Sequence, residues 1–200
     1  MVNLKELVFG NTVHRGPHTA IFPARYKPHL EKFTWSVRGG NPYQDPDGPR
    51  DESYVSQTLK FLEGQTQLRV LHWQPSPRIE PHPKPCPDSF FPKLDTLIGD
   101  IETIRTFLPG RCSVTTLQWI TGIGTRYPLI DTFEQVFNKV SPQLKGIKHL
   151  SIQPLADWQY SGHLQPIIPH LYSIETLHIF SVSEHEIVGD FYEELPFHTL

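Results

Sequence analysis

Eleven histidines and two cysteines stand in this 200-residue chain, and their spacing decides what chemistry they can do. His14 with His18, and His82 with Cys86, lie at i and i+4, the interval that puts two metal ligands on one side of a helix. Gly16-Pro17 interrupts the first pair and prolines surround the second, so neither pair sits on a helix. Two ligands also fall short of the three or four that a zinc site takes. No metal is expected.

Nucleophilic catalysis would need a thiolate beside a base. Cys112 follows Pro109-Gly110-Arg111 and would have to meet His149 or His72 across neighbouring strands. A cysteine so placed reads better as a small apolar residue. Asp157 with Glu184 or Glu186 would supply paired carboxylates only in a geometry that the spacing does not provide. Gly122-Ile-Gly124-Thr-Arg is too short for a dinucleotide loop and reads as a turn after a strand; no phosphate loop occurs. The chain is expected to be no enzyme and to hold no cofactor.

Composition narrows the partners. A net charge of -3 with no long run of either sign leaves no footprint for nucleic acid or an anionic membrane. No apolar run approaches the roughly 18 residues of a membrane span, and the N-terminus lacks a basic region followed by an apolar one. Two cysteines make no disulfide framework. The expectation is one intracellular domain, cytoplasmic or nuclear, whose partner is a protein or peptide.

The elements that would position such a surface come from a repeated unit: apolar, two free positions, Leu or Phe, one free position, then apolar or glycine. It reads Leu4-Lys-Glu-Leu-Val-Phe9, Leu30-Glu-Lys-Phe-Thr-Trp35, Leu68-Arg-Val-Leu-His-Trp73 and Leu94-Asp-Thr-Leu-Ile-Gly99. Three more copies follow as Val114-Thr-Thr-Leu-Gln-Trp119, Ile147-Lys-His-Leu-Ser-Ile152 and Ile174-Glu-Thr-Leu-His-Ile179. Positions four and six lie two apart and therefore share one face of a strand. Intervals between copies vary from 20 (Leu94 to Val114) to 38 (Leu30 to Leu68), so the repeat is irregular. The predicted fold is α/β: an irregular leucine-rich-repeat-like solenoid, with parallel strands on a concave face and short helices and loops on the convex face.

Helical spacing fills the gaps. Val55, Leu59 and Leu62 mark a helix over 51–64 ending at Gly64. Asp100 caps a helix with Ile101, Ile104 and Leu108 on one side, stopped by Pro109-Gly110. Asp131 opens another, with Phe133, Val136, Phe137 and Val140 before Pro142. Leu164, Ile167, Ile168 and Leu171 predict a short or irregular fourth, and 183–195 a fifth. The turn-rich stretch 38–50 and the proline-rich stretch 74–92 read as insertions on a single domain spanning 1–200.

If positions four and six face the core, positions three and five face outward. That row gives the candidate partner-binding residues: Lys32, Thr34, His72, Thr96, Thr116, Gln118, His149, Ser151, Thr176 and His178. The mixture of polar and apolar groups with little charge suits a protein surface better than a phosphate backbone. Trp35, Trp73 and Trp119 at position six are expected in the core, whereas Trp158, outside the repeat, is the candidate exposed anchor.

The degenerate copies, the strand-final tryptophans and phrases such as Phe91-Pro-Lys-Leu-Asp-Thr-Leu97 and Leu144-Lys-Gly-Ile-Lys-His-Leu150 resemble the leucine-rich-repeat portion of fungal (basidiomycete-like) F-box proteins. In that family an N-terminal F-box binds the adaptor of a cullin ubiquitin ligase and the repeats hold the substrate. The resemblance implies a substrate-recognition scaffold, with the ligase adaptor a partner only if an F-box lies outside this chain. The sequence opens inside a repeat, at Val2-Asn-Leu-Lys-Glu-Leu7, and reads as part of a longer array or as a repeat protein lacking the box. The competing class is a small α/β enzyme of doubly wound type, which calls for a reversal in strand order.

Overall fold

The computed structural model describes residues 4–10, 29–36, 58–74, 86–87, 89–120, 130–153 and 165–180. Each copy of the repeat forms a strand that starts at its third position. The strands are β1 (Glu6–Gly10), β2 (Lys32–Ser36), β3 (Val70–Gln74), β4 (Thr96–Gly99), β5 (Thr116–Ile120), β6 (His149–Gln153) and β7 (Thr176–Ile179). They make one open, seven-stranded sheet in the order β1 to β7, every neighbouring pair parallel. The strand order contains no reversal.

Register is the same at every step. Position four aligns with position four: Leu7 beside Phe33, then Leu71, Leu97, Leu117, Leu150 and Leu177. Strand entry repeats as well. The carbonyl at position two of each strand accepts N–H bonds from positions two and three of the next; Glu31 O, for example, receives Arg69 N at 2.8 Å and Val70 N at 3.0 Å. A slip of one residue would turn every core leucine to the opposite face, so apolar burial fixes this register strongly.

Connections of unequal length fit between these strands because only the last turn before each strand is standardised. Gln65, Phe91, Arg111 and Leu144 stand three residues before position one, and their carbonyls accept the N–H of Leu68, Leu94, Val114 and Ile147. All four are buried.

The described helices occupy one side of the sheet. Residues 58–62 are the described part of α1; α2 is Ile101–Phe107, α3 Ile130–Lys139 and α4 Ser141–Leu144. Each of the first three places an aromatic ring against a position-four or position-six ring. Phe61 lies 6.4 Å from Phe33, Phe107 lies 5.2 Å from Trp73, and Phe137 lies 5.3 Å from Trp119 between ring centroids. The tilted and edge-on geometries are favourable for aromatic pairs. The core is therefore a single layer between the sheet and its helices, filled by Leu71, Leu97, Leu117, Leu150 and their neighbours.

Several expectations are met and several change. Asp100 caps α2, accepting Thr103 N at 2.8 Å, and Val136, Phe137 and Val140 are buried behind α3. Pro142 does not end the helical region: it sits in the first turn of α4, where a missing N–H costs nothing. The predicted fourth helix shrinks to a single 3-10 turn at Ile168–His170, because Pro166 and Pro169 remove two of the N–H groups an α-helix would need. The helix predicted over 183–195, residues 51–57 and the insertion 38–50 lie outside the described residues.

The core expectation also needs correcting at the two ends of the sheet. Trp73 and Trp119 are buried, but Trp35 is half-buried, as is Leu7. On β7, Leu177 and Ile179 are 52% and 45% exposed, against 0–5% for the matching residues of β3, β5 and β6. Among the described residues β1 and β7 have a neighbouring strand on one side only, β2 with Trp35 lies next to the edge strand β1, and no described helix places a ring beneath β7.

The described residues of the proline-rich stretch are tied to the core. Cys86 N donates to Thr106 O at 2.9 Å, and the buried Arg111 guanidinium donates to the carbonyls of Pro87, Phe90 and Pro109 at 2.8, 3.2 and 2.8 Å. A charged group buried to this depth is tolerated because carbonyl oxygens take up its N–H donors. Among the described residues, no helix is long and apolar enough to cross a membrane.

Candidate functional site

With every described helix on the position-four and position-six side, positions three and five carry the face that no described helix covers. Identical register turns them into two continuous rows. One runs Glu6, Lys32, Val70, Thr96, Thr116, His149, Thr176, and the other Val8, Thr34, His72, Ile98, Gln118, Ser151, His178. All ten sequence-predicted binding residues within the repeat therefore share one surface. Trp158, the predicted anchor, lies outside the described residues.

Fixed charge is confined to one corner of this face. Lys32 Nζ meets Glu6 Oε1 at 2.8 Å, so the two charges offset each other. From β3 to β7 the rows contain hydroxyls, an amide, imidazoles and the apolar Val70 and Ile98. Side chains link across strands: His149 Nδ1 lies 2.8 Å from Thr176 Oγ1, and Ser36 Oγ donates to Gln74 Oε1 at 3.4 Å.

His72 behaves differently from the exposed His149 and His178. It is half-buried, and its Nε2 is shielded from solvent without a hydrogen-bond partner among the described residues. Burial holds its pKa below the ordinary imidazole value of 6.5, with Lys32 acting in the same direction and a hydrogen bond to Gln74 opposing them. Neutral His72 thus fits the middle of an uncharged surface.

Among the described residues, the other candidate groups stand as follows. Cys86 is buried, and loss of hydration raises its thiol to about 11, far from a reactive thiolate. Cys112 is exposed in the turn before β5, while the Nδ1 of His149 is engaged by Thr176. Among the described residues no three His, Cys, Asp or Glu side chains form a metal-binding group. His14, His18, His82, Asp157, Glu184 and Glu186 lie outside the described residues.

One pattern escapes a reading limited to core and outward positions. Position two carries Lys5, Glu31, Arg69, Asp95, Thr115, Lys148 and Glu175, alternating in sign with one interruption. Lys5 pairs with Glu31 at 2.7 Å, Arg69 with Asp95 at 2.6 Å and Lys148 with Glu175 at 2.8 Å. Hydrogen bonds from Lys5 and Lys148, followed by their charge, lower the pKa values of Glu31 and Glu175. Such exposed pairs add little stability, but they match only in the observed register. Aligning the copies shows this alternation in the sequence alone.

Comparison of the chain with protein-family models, curated proteins and solved structures finds no match.

Proposed function

We propose that this chain is a non-enzymatic protein-binding scaffold, an irregular leucine-rich-repeat-like solenoid whose uncovered sheet face holds a protein or peptide partner. The observation that carries the reading is one-sidedness. The described helices pack their rings on positions four and six, and the two outward rows run unbroken across seven strands. A repeat that exposes the same positions at every step builds an extended recognition surface without needing a pocket. The resemblance to the substrate-holding repeats of fungal F-box proteins agrees with this use.

A doubly wound enzyme would cover both faces of its sheet and open a crevice where the strand order reverses. Sequential order and one-sided helices favour the scaffold instead.

The test is affinity capture with the wild-type chain and with Thr116→Lys/Ser151→Lys, two half-exposed positions on the face. Glu134→Lys/Asn138→Lys on the exposed side of α3 is the control. Partners should be lost from the face variant and kept by the control, with unchanged circular dichroism in both. An identical set of partners from all three chains would refute the reading.

A further inference from the structure

The two edges of the sheet carry complementary halves of one joint. At every step from β1 to β7 the position-two carbonyl of one strand receives the N–H groups of positions two and three of the next. The series begins at Lys5 O, which accepts Glu31 N at 2.8 Å and Lys32 N at 3.1 Å. It ends at Lys148 O, which accepts Glu175 N at 2.7 Å and Thr176 N at 3.0 Å. Among the described residues this leaves one acceptor on the outer edge of β7, Glu175 O, and two donors on that of β1, Lys5 N and Glu6 N.

Side chains match in the same sense. Position two alternates in sign from Lys5 through Glu31 and Arg69 to Asp95, and again from Lys148 to Glu175. Setting Glu175 beside Lys5 of another copy continues that alternation. At position four Leu177, 52% exposed, would stand beside the half-buried Leu7 and extend the leucine row by one step. A two-fold pairing of β7 with β7 has no such match. It runs antiparallel and sets the acidic start of one strand against the apolar Ile179 and Phe180 of the other.

We propose that a second copy of this chain adds its β1 to β7, parallel and in the register of the internal steps. Glu175 O then accepts Lys5 N and Glu6 N of the incoming copy, and the Glu175 carboxylate pairs with the incoming Lys5. Unpaired strand edges are ready templates for such addition. The contact is heterologous, so each addition leaves another β7 edge free and copies join head to tail without closing at a pair. It is independent of what the uncovered sheet face binds.

Sedimentation velocity of the full chain across its soluble concentration range, combined with hydrogen exchange, tests the joint. The wild type should grow from monomer past dimer as concentration rises. The amides of Leu177 and Ile179, which alternate with the Phe180 N–H bonded to Ile152 O, should gain protection over the same range. Glu175→Lys or Lys5→Glu alone sets like charges across the joint and should weaken association about three- to tenfold. An equimolar mixture of the two variants restores opposite charges at every joint and should recover it. Glu6→Pro removes an outward donor at the first residue of an edge strand, where proline is tolerated, and should abolish growth with unchanged circular dichroism. A wild type that stays monomeric throughout would overturn the proposal, as would a dimer that grows no further. So would a mixture that associates no better than its parts, or Leu177 and Ile179 amides already protected in the monomer.

Discussion

Thr103, in the first turn of α2, occupies the space that a β-carbon on Gly99 would need. Such a carbon would lie 2.5 Å from Thr103 Cγ2 and 2.5 Å from the Trp73 carbonyl oxygen. Thr103 Oγ1 donates to that carbonyl at 2.7 Å, tying α2 to β3. Gly99 is thus the one position six that is glycine, between Trp73 and Trp119, because α2 starts immediately above it. Gly99→Ala should destabilise the fold by about 1–3 kcal/mol, the usual cost of overpacking. Urea denaturation measures this, and an unchanged midpoint would contradict the close approach.

Asp100 fastens the same turn, accepting from Thr103 N at 2.8 Å and, at 2.9 Å, sharing the Thr103 Oγ1 proton with the Trp73 carbonyl. Asp100→Ala should cost about 1 kcal/mol, as loss of an N-cap usually does, and Asp100→Asn should recover most of it. The comparison by urea denaturation separates capping from charge.

Arg111 holds the end of the proline-rich stretch to the core through carbonyls of Pro87, Phe90 and Pro109. Arg111→Met should destabilise by roughly 2–4 kcal/mol, because several carbonyls lose their donor at once. Arg111→Lys should not rescue it, since an ammonium cannot reproduce the planar fork. Limited proteolysis should show faster cleavage near 86–92 in both variants.

The pH dependence follows from His72. Its folded-state pKa lies below 6.5, so the unfolded chain takes up the proton first as pH falls. Its contribution is fully present above about pH 6.5 and is lost as pH drops towards the lowered folded value. His72→Gln should therefore flatten the fall in stability between about pH 7.5 and 5.5. Parallel curves for variant and wild type, from urea titrations at each pH, would place the acid sensitivity elsewhere.

Much of this architecture was legible because two residue periodicities coincide. The spacing of Leu71 and Trp73, or Leu117 and Trp119, marks a strand and its buried face together, so each of the seven copies of the repeat carries a strand. Asp100 with Pro109-Gly110 bounds α2 for the same local reasons. What stayed hidden depends on contacts distant in sequence. Nothing near Arg111 or Gln65 distinguishes a buried polar group from a solvated one; yet Gln65 Oε1 accepts Leu30 N across 35 residues. Leu177 carries the same local signal as Leu150, and only its neighbours make one exposed and the other buried. The outward rows were legible as a pattern, while the shielding of His72 within them was not.

The most direct measurement of the scaffold account is site-specific photo-crosslinking in cells from Gln118 on the uncovered face and from Glu134 on the helical side. The account predicts discrete protein adducts from position 118 and none from position 134. Equal adducts from both positions, or adducts from 134 alone, would contradict it.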